Sequence, residues 1–279
     1  MREMGGGYPP FYGTGRAMSF LEVKDLSISF GGLRALNRVS FSVEERSIYS
    51  IIGPNGAGKT TIFNCISGLY RPDSGRIILQ GKDITRLKPH EVARLGVART
   101  FQNIELFSHM STMDNLMLGR HIHMRTGVWS GATMFWRGSR AAREEIAHRA
   151  AVEKVIDFLE LQSARDKPVA SLPYGIQKKV ELARALAMEP KLLLLDEPSA
   201  GMNLEEKGDL MFWIKDVRDL LGTTILLVEH DMNMVMDISD RVLVLNYGSV
   251  IAEGPPDVVQ NHPEVLKAYL GEEDSDAQG

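Results

Sequence analysis

Gly53-Pro54-Asn55-Gly56-Ala57-Gly58-Lys59-Thr60-Thr61 stands between two apolar segments. The apolar run Ile48-Tyr49-Ser50-Ile51-Ile52 precedes it, and Ile62-Phe63-Asn64-Cys65-Ile66-Ser67 follows. The pattern predicts a buried strand, a glycine-rich turn and an amphipathic helix, in that order. In that context Gly-x-x-x-x-Gly-Lys-[Ser/Thr] reads as a phosphate-binding loop. Glycines let successive backbone amides curl around an anion, and the helix N-terminus beyond adds its dipole. Lys59 is expected to reach the β- and γ-phosphates, and the Thr60 hydroxyl to sit on Mg²⁺. A turn that only packs closely is the bland alternative, and the flanking strand and helix count against it.

The chain has 279 residues, enough for one large domain or two modest ones. Apolar residues make up 44% and charged residues 24%, ordinary values for a soluble globular protein. A net charge of −4 argues against a nucleic-acid partner, for which a basic balance is expected. Cys65 is the single cysteine, so no internal disulfide can form and a reducing compartment is permitted. Its apolar surroundings make it a small core residue. No apolar run approaches the ~18 residues of a membrane-spanning helix, so a membrane role has to come through a partner. Residues 1–18 are rich in Gly, Pro and Tyr, lack the apolar centre of a secretory signal and read as a disordered tail. Met18 is a candidate start.

Ahead of the loop, Leu21, Val23, Leu26, Ile28 and Phe30 alternate in short pieces, Gly31-Gly32 marks a turn, and residues 33–43 continue the pattern. An antiparallel β-layer is expected there. Phe30 is either an adenine-stacking residue or a strand-end core residue. After the loop come a strand at 76–79, a hairpin-type turn at 80–83, a short helix at 89–95 and a strand from 97 to Gln102. From there to about residue 170 the composition turns helical, with Val152, Val155, Ile156 and Leu159 on one helix face. Trp129, Phe135 and Trp136, in a glycine-containing stretch, form either an exposed apolar patch or a self-packed loop.

Leu172-Pro173-Tyr174-Gly175-Ile176-Gln177 opens a helix that Pro190 must end. Four consecutive leucines, 192–195, predict a strand buried on both faces, as in a parallel sheet. A helix carrying Leu210, Trp213, Ile214, Val217 and Leu221 on one side follows, then a buried strand at 224–228 ending at Glu229-His230. A hairpin at 241–253 and a helix at 264–270 precede an acidic tail, residues 271–279, expected to be disordered. Met232, Met234 and Met236 read as helical core filler rather than an interaction surface.

A phosphate loop needs a second strand that supplies an acid for the metal. Asp196 fits, directly or through water, at the strand end where open α/β sheets bind ligands. Glu197 beside it is suited to polarise a water aimed at the γ-phosphate. His230, at the end of a neighbouring strand, could link the γ-phosphate to that carboxylate through its two ring nitrogens. Gln102 offers a neutral amide oxygen that can ligate Mg²⁺ and let go.

The ordered set Phe30, residues 53–61, Gln102, residues 172–177, Leu195-Asp196-Glu197-Pro198 and His230 resembles the ATP-binding subunit of an ABC transporter, over nearly the whole chain from 18 to about 270. The resemblance implies an α/β fold: a P-loop NTPase core with a mostly parallel sheet, an N-terminal antiparallel β-layer and an inserted α-helical subdomain. The ATPase domain would span 19–271, with the helical insert at about 103–188 and an acidic tail at 272–279. It implies ATP hydrolysis with Mg²⁺. Phe30, Gly53, Pro54, Asn55, Gly56, Ala57, Gly58, Lys59, Thr60 and Thr61 would hold the nucleotide, and Thr60, Gln102 and Asp196 the metal. Glu197 and His230 would be catalytic. It also implies a head-to-tail dimer with a second ATPase subunit, identical or not. There Tyr174, Gly175 and Gln177 of one subunit close over the ATP of the other, covering the side of the triphosphate that the loop leaves open. Two integral membrane permeases, docked near Gln102-Asn103-Ile104-Glu105-Leu106-Phe107, and a periplasmic solute-binding protein acting through them complete the expected assembly. Its place would be the cytoplasmic face of a bacterial inner membrane.

Residues 172–177, Ser199-Ala200-Gly201-Met202-Asn203, Val228-Glu229-His230-Asp231-Met232 and residues 262–271 are most similar to the branched-chain amino acid importer ATPases, as is the long Trp-containing insert between Gly119 and Arg140. The lipopolysaccharide-export ATPases share the Tyr-Gly signature and the Glu-His-Asp-Met run, and related importers carry urea or short amides. A soluble ABC ATPase acting on DNA or ribosomes fits less well with one set of motifs and an acidic balance. A metabolic P-loop kinase has no use for residues 172–177. Three departures stand out. Pro173 replaces the usual signature serine, which leaves the helix N-terminus and Gly175 to meet the neighbouring γ-phosphate. Asn203 replaces a common aspartate, and Arg46 a usual turn glycine.

Overall fold

The computed structural model describes residues 19–100, 104–124 and 140–276. In chain order the strands are β1 (Leu21–Phe30), β2 (Leu33–Val43), β3 (Ile48–Ile52), β4 (Ser74–Leu79), β5 (Lys82–Asp83), β6 (Val97–Arg99), β7 (Leu192–Asp196), β8 (Thr224–Val228), β9 (Arg241–Asn246) and β10 (Ser249–Gly254). They form two sheets. The first is antiparallel, in the order β2-β1-β4-β5. The second has the order β10-β9-β3-β8-β7-β6 and is parallel except at β10, which forms a hairpin with β9. The expected antiparallel layer and parallel core are both present.

The leucine run explains why the second sheet lies in the middle. Leu192 and Leu194 enter the core shared with the antiparallel layer, while Leu193 and Leu195 enter the core on the opposite face. Leu226 and Val228 of β8 divide from Ile225 and Leu227 in the same way. With side chains alternating at period two and both faces covered, the strand reads as an unbroken apolar run.

The helices are α1 (Lys59–Ile66), α2 (Pro89–Arg94), α3 (Thr112–Arg120), α4 (Arg140–Phe158), α5 (Tyr174–Leu186), α6 (Leu204–Leu221), α7 (Met232–Ile238), α8 (Pro256–Gln260) and α9 (Pro263–Asp276). Val152 and Ile156 of α4, with Leu159 just past its end, are buried with Met113 and Leu116 of α3 and Val180 and Ala183 of α5. The charged residues 140–149 and the apolar stripe after them form one continuous helix. Leu210, Trp213, Ile214 and Val217 are the buried face of α6, whereas Leu221 at its end is exposed. Met234 is fully buried, and Met232 and Met236 pack half-buried beside Val235, so the methionines are core filler.

Two expectations need correction or reason. The acidic segment from residue 271 is not an unstructured tail: α9 continues through it to Asp276. The segment carries no proline after Pro263, and its glutamates are good helix formers. Arg46 adopts a left-handed φ of 58°, which is the physical reason a glycine suits that turn. Its backbone N–H donates to Thr224 Oγ1 at 2.9 Å, anchoring the turn to β8. Residues 1–18, Gln102 with its neighbours 101 and 103, the insert 125–139 and residues 277–279 lie outside the described part of the chain. Among the described residues no helix is long and apolar enough to cross a membrane.

Register positions the site. Ile51 of β3 pairs with Val228 of β8, and Val228 pairs with Asp196 of β7. The loop after β3, His230 just past β8 and Asp196-Glu197 at the end of β7 therefore leave the sheet at one carboxyl edge. That is the edge at which such sheets bind ligands.

Candidate active site

The loop is shaped by what presses on it. Gly53 has φ 146°, and a Cβ there would overlap the carbonyl oxygen of Leu245 in β9. Gly58, at φ 107°, would place one 2.7 Å from the carbonyl oxygen of Ala35 and 2.8 Å from Leu36 Cδ2 in β2. Both positions require glycine. Gly56, at φ 76°, has open space around it. The β9–β10 turn closes the back of the loop, where Gly248 N donates to Ala57 O at 2.9 Å. Lys59 curls over the loop, donating from Nζ to Gly53 O at 2.6 Å and Pro54 O at 3.0 Å. Asn55 and Thr60 are exposed and Thr61 half-buried. Helix α1 has no side-chain cap and no acid in its first turn, which leaves its leading N–H groups to an anion. Cys65 is buried behind it, with a thiol pushed up to about 12 by burial, as a core residue should be.

Asp196 is 2% exposed. Burial raises its carboxyl above the usual range, opposed by the hydrogen bond from Arg99, whose Nη2 lies 2.7 Å from Oδ2. The other oxygen, Oδ1, is equally buried and has no hydrogen-bond partner. An orphaned anionic oxygen is a misfit for a finished core but suits a hard cation. Among the described residues no cluster of three or more His, Cys, Asp or Glu side chains could hold a metal by itself. Mg²⁺ that takes its remaining ligands from phosphate oxygens and water needs only one or two protein ligands, and Asp196 with Thr60 fits that demand. Gln102, the third expected ligand, lies outside the described residues.

Glu197 has a left-handed φ of 49°, a costly conformation for a non-glycine residue. Its N–H is bonded to Val228 O at 2.8 Å. Its carboxylate Oε1 stands 2.6 Å from His230 Nε2, which donates when the carboxylate is ionised. His230 is partly exposed and Glu197 mostly buried, so the pair faces outward through the histidine. The structure brings the two expected catalytic residues within hydrogen-bond distance of each other.

The sequence reading missed two supporting residues. Glu229 is buried, and its carboxylate accepts from Ser199 N at 2.8 Å and His230 N at 3.1 Å. It bolts the turn after Glu197 to the end of β8. An acid directly after four apolar strand residues was the available signal. Arg99, read only as part of a strand, is the partner of Asp196, and nothing in its sequence spacing announces that.

Phe30 is 44% exposed and meets Tyr70 edge-on, with ring centroids 5.2 Å apart, so the strand-end core alternative does not fit. Residues 172–177 are organised around α5. Pro173 occupies the N-cap position without a side-chain cap. Gln177 donates from Nε2 to Leu172 O at 2.8 Å and from its backbone N to Pro173 O at 3.0 Å, so its side chain shapes the turn itself. Tyr174 OH donates to Ala200 O at 3.0 Å, and its ring lies against Gly201, whose φ is 77°. A side chain at Gly175 would run into the Glu206 carboxylate. Asn203 caps α6, accepting from Glu206 N and donating to Glu206 Oε2, each at 3.0 Å. That is work an asparagine does as well as an aspartate.

A phosphate cradle between strand and helix, a buried acid on a parallel strand and an antiparallel layer at the side define a P-loop ATPase. A family model described as "ABC transporter" matches residues 36–200, and one described as "Branched-chain amino acid ATP-binding cassette transporter" matches residues 249–275. The chain belongs to the ABC transporter family, as an ATP-binding cassette. It is 44% identical over 255 residues to the high-affinity branched-chain amino acid transport ATP-binding protein BraF of Pseudomonas aeruginosa, covering 90% of this chain and 98% of that one. Identity to the corresponding protein LivG of Escherichia coli is 42%, with coverage of 90% and 98%. A probable LivG from Archaeoglobus fulgidus is 38% identical, with coverage of 94% and 99%. Among solved structures, the ADP conformation of MJ1267, an ATP-binding cassette of an ABC transporter, superimposes with a TM-score of 0.79 at 31% identity, covering 91% of this chain and 99% of that one. A nucleotide-free cassette from an ABC transporter gives 0.78 at 31% identity, with coverage of 90% and 99%.

Proposed function

We propose that this chain is the ATPase subunit that powers uptake of branched-chain amino acids through integral membrane permeases. The observation that carries the reading is the 44% identity to BraF along 98% of that protein. Two permeases, a second ATPase subunit and a periplasmic solute-binding protein complete the assembly, which sits at the cytoplasmic face of the inner membrane. The segment at about 103–188 acts as the helical subdomain that moves against the core.

In this reading the loop amides, Lys59 and the N-terminus of α1 bind the triphosphate, and Phe30 stacks on the base. Thr60, Asp196 and Gln102 would hold Mg²⁺, which would neutralise charge on the phosphates. Glu197 is held by His230 at Oε1, and its carboxylate orients the attacking water and takes its proton. The strained backbone of Glu197 and the clamp of Glu229 hold that carboxylate to one position. The uncapped N-terminus of α5, with Tyr174 and Gly175, closes the site of the neighbouring subunit, and Gln177 shapes that turn.

The test is reconstitution with two permeases and a binding protein in lipid vesicles. Leucine-loaded binding protein should raise ATP hydrolysis and drive leucine uptake. Stimulation by lipopolysaccharide, with no effect of the loaded binding protein, would move the chain to an export system.

A further inference from the structure

We propose that Arg99 is a positioning residue for the metal, holding Asp196 so that one carboxylate oxygen is occupied and the other is left for the cation. The inference rests on the Mg²⁺ reading of the site and assigns it a residue that none of the sequence motifs contains.

Arg99 is the last residue of β6 and its side chain is 8% exposed. Nη2 bonds Asp196 Oδ2 at 2.7 Å. Nη1 bonds Asn64 Oδ1 at 2.6 Å and Ser67 Oγ at 3.3 Å, and the guanidinium lies over the Phe63 ring, 5.6 Å from its centroid. Asn64 and Phe63 belong to α1 and Ser67 is its C-cap, so all three ride on the helix that starts with Lys59 and Thr60. One guanidinium therefore ties the acid of β7 to the helix that carries the Thr60 hydroxyl, making two proposed ligands from different elements into one unit. Only a planar fork with several donors can reach both sides at once.

A buried ion pair kept for stability alone is the competing explanation, but an apolar pair of similar volume would usually serve that end as well. What an apolar pair cannot do is seat a carboxylate with Oδ2 bonded and Oδ1 free, the state found here. Outer-shell partners of ligating carboxylates act in this way, and their loss costs ~10–100-fold in metal affinity.

The experiment titrates Mg²⁺ at a fixed concentration of fluorescently labelled ADP and reads the Mg²⁺ concentration at half-maximal binding, with no turnover involved. Arg99→Met should raise that concentration ~10–100-fold, with binding of the metal-free nucleotide unchanged. Arg99→Lys, which keeps the charge but loses the fork, should fall between the two, and it decides the matter if Arg99→Met does not fold. Asn64→Ala should give a smaller rise. A parent-like half-saturation in Arg99→Lys and Arg99→Met, in a protein whose parent depends on Mg²⁺, overturns the role of Arg99. ADP binding by the parent that ignores Mg²⁺ overturns the metal reading beneath it as well.

Discussion

His230 is the residue whose removal tests the hydrolytic reading most sharply. Its Nε2 lies 2.6 Å from Glu197 Oε1, and Glu197 already sits in a left-handed conformation at the end of β7. Truncation to alanine removes a hydrogen bond to a charged group, worth about 1.5–3 kcal/mol. If that bond only fixes the carboxylate toward the attacking water, the loss falls on the transition state. The fall in kcat is then about 10- to 150-fold at ~1.4 kcal/mol per decade. Nucleotide affinity should not move if His230 acts only through the Glu197 carboxylate. Glu197→Gln should cost more, about 10²–10⁴-fold, because it removes the base itself. The double variant should lose no more than Glu197→Gln alone, since His230 acts through that carboxylate. Phosphate release measured at saturating ATP gives kcat, and labelled-nucleotide titration gives affinity. The reasoning fails if His230→Ala keeps its kcat, or if its loss multiplies onto that of Glu197→Gln.

Phe30→Ala should weaken ADP binding by the ~1–3 kcal/mol typical of base–aromatic stacking, with little change in the thermal midpoint because the ring is largely exposed; a fall in stability with intact binding would mark it as packing. Asn203→Ala should cost about 0.5–2 kcal/mol in urea unfolding through loss of the α6 cap, while Asn203→Asp keeps the cap and the midpoint. Asp231 is held below the usual carboxylate range first by the Lys207 hydrogen bond, at 2.7 Å, and then by Met234 N. A depressed acid stabilises the fold above its unfolded value of about 3.9 and loses that contribution as pH falls through its lower folded value. Asp231→Asn should therefore cost stability at neutral pH and progressively less in acid, and a cost independent of pH would remove the ion pair as its cause.

Much of the fold was legible because burial writes itself into period. The four leucines of β7 could lie only in a strand covered on both faces, and the structure splits them two and two between the cores. The glycines of the loop, the acids after β7 and the histidine after β8 were legible from chemistry at strand ends. The order of strands was not. Nothing in the sequence says that β8 separates β3 from β7, yet that order puts His230 between the loop and Glu197. Arg99 was hidden for the same reason: its partners Asn64 and Asp196 are far away in sequence and meet only once α1 packs on the sheet. Acidic composition does not separate disorder from helix at the end of α9, because glutamate is also a strong helix former.

The helix N-termini sort themselves by task. Ser111 accepts from Asp114 N at the start of α3, Asn203 from Glu206 N at α6 and Asp231 from Met234 N at α7. Helix α2 has Glu91 bonded back to Lys88 N. These ends are finished within the chain, by groups that satisfy the leading N–H donors and complement the dipole. Helices α1, α5 and α8 start from Gly58, Pro173 and Pro255 with no side-chain cap, and of these only α8 has an acid, Asp257, in its first turn. In an ordinary helix that omission costs stability, and a Ser or Asp would repair it. In the proposed function that repair at α1 or α5 would set a competing acceptor where a phosphate oxygen binds. This gives Pro173 a reason the lost serine hydroxyl alone does not: proline fixes the turn entering α5 and offers no acceptor of its own. The proposed function supplies an anion for each of these two ends: the triphosphate in the chain's own loop for α1, and that of a second subunit for α5.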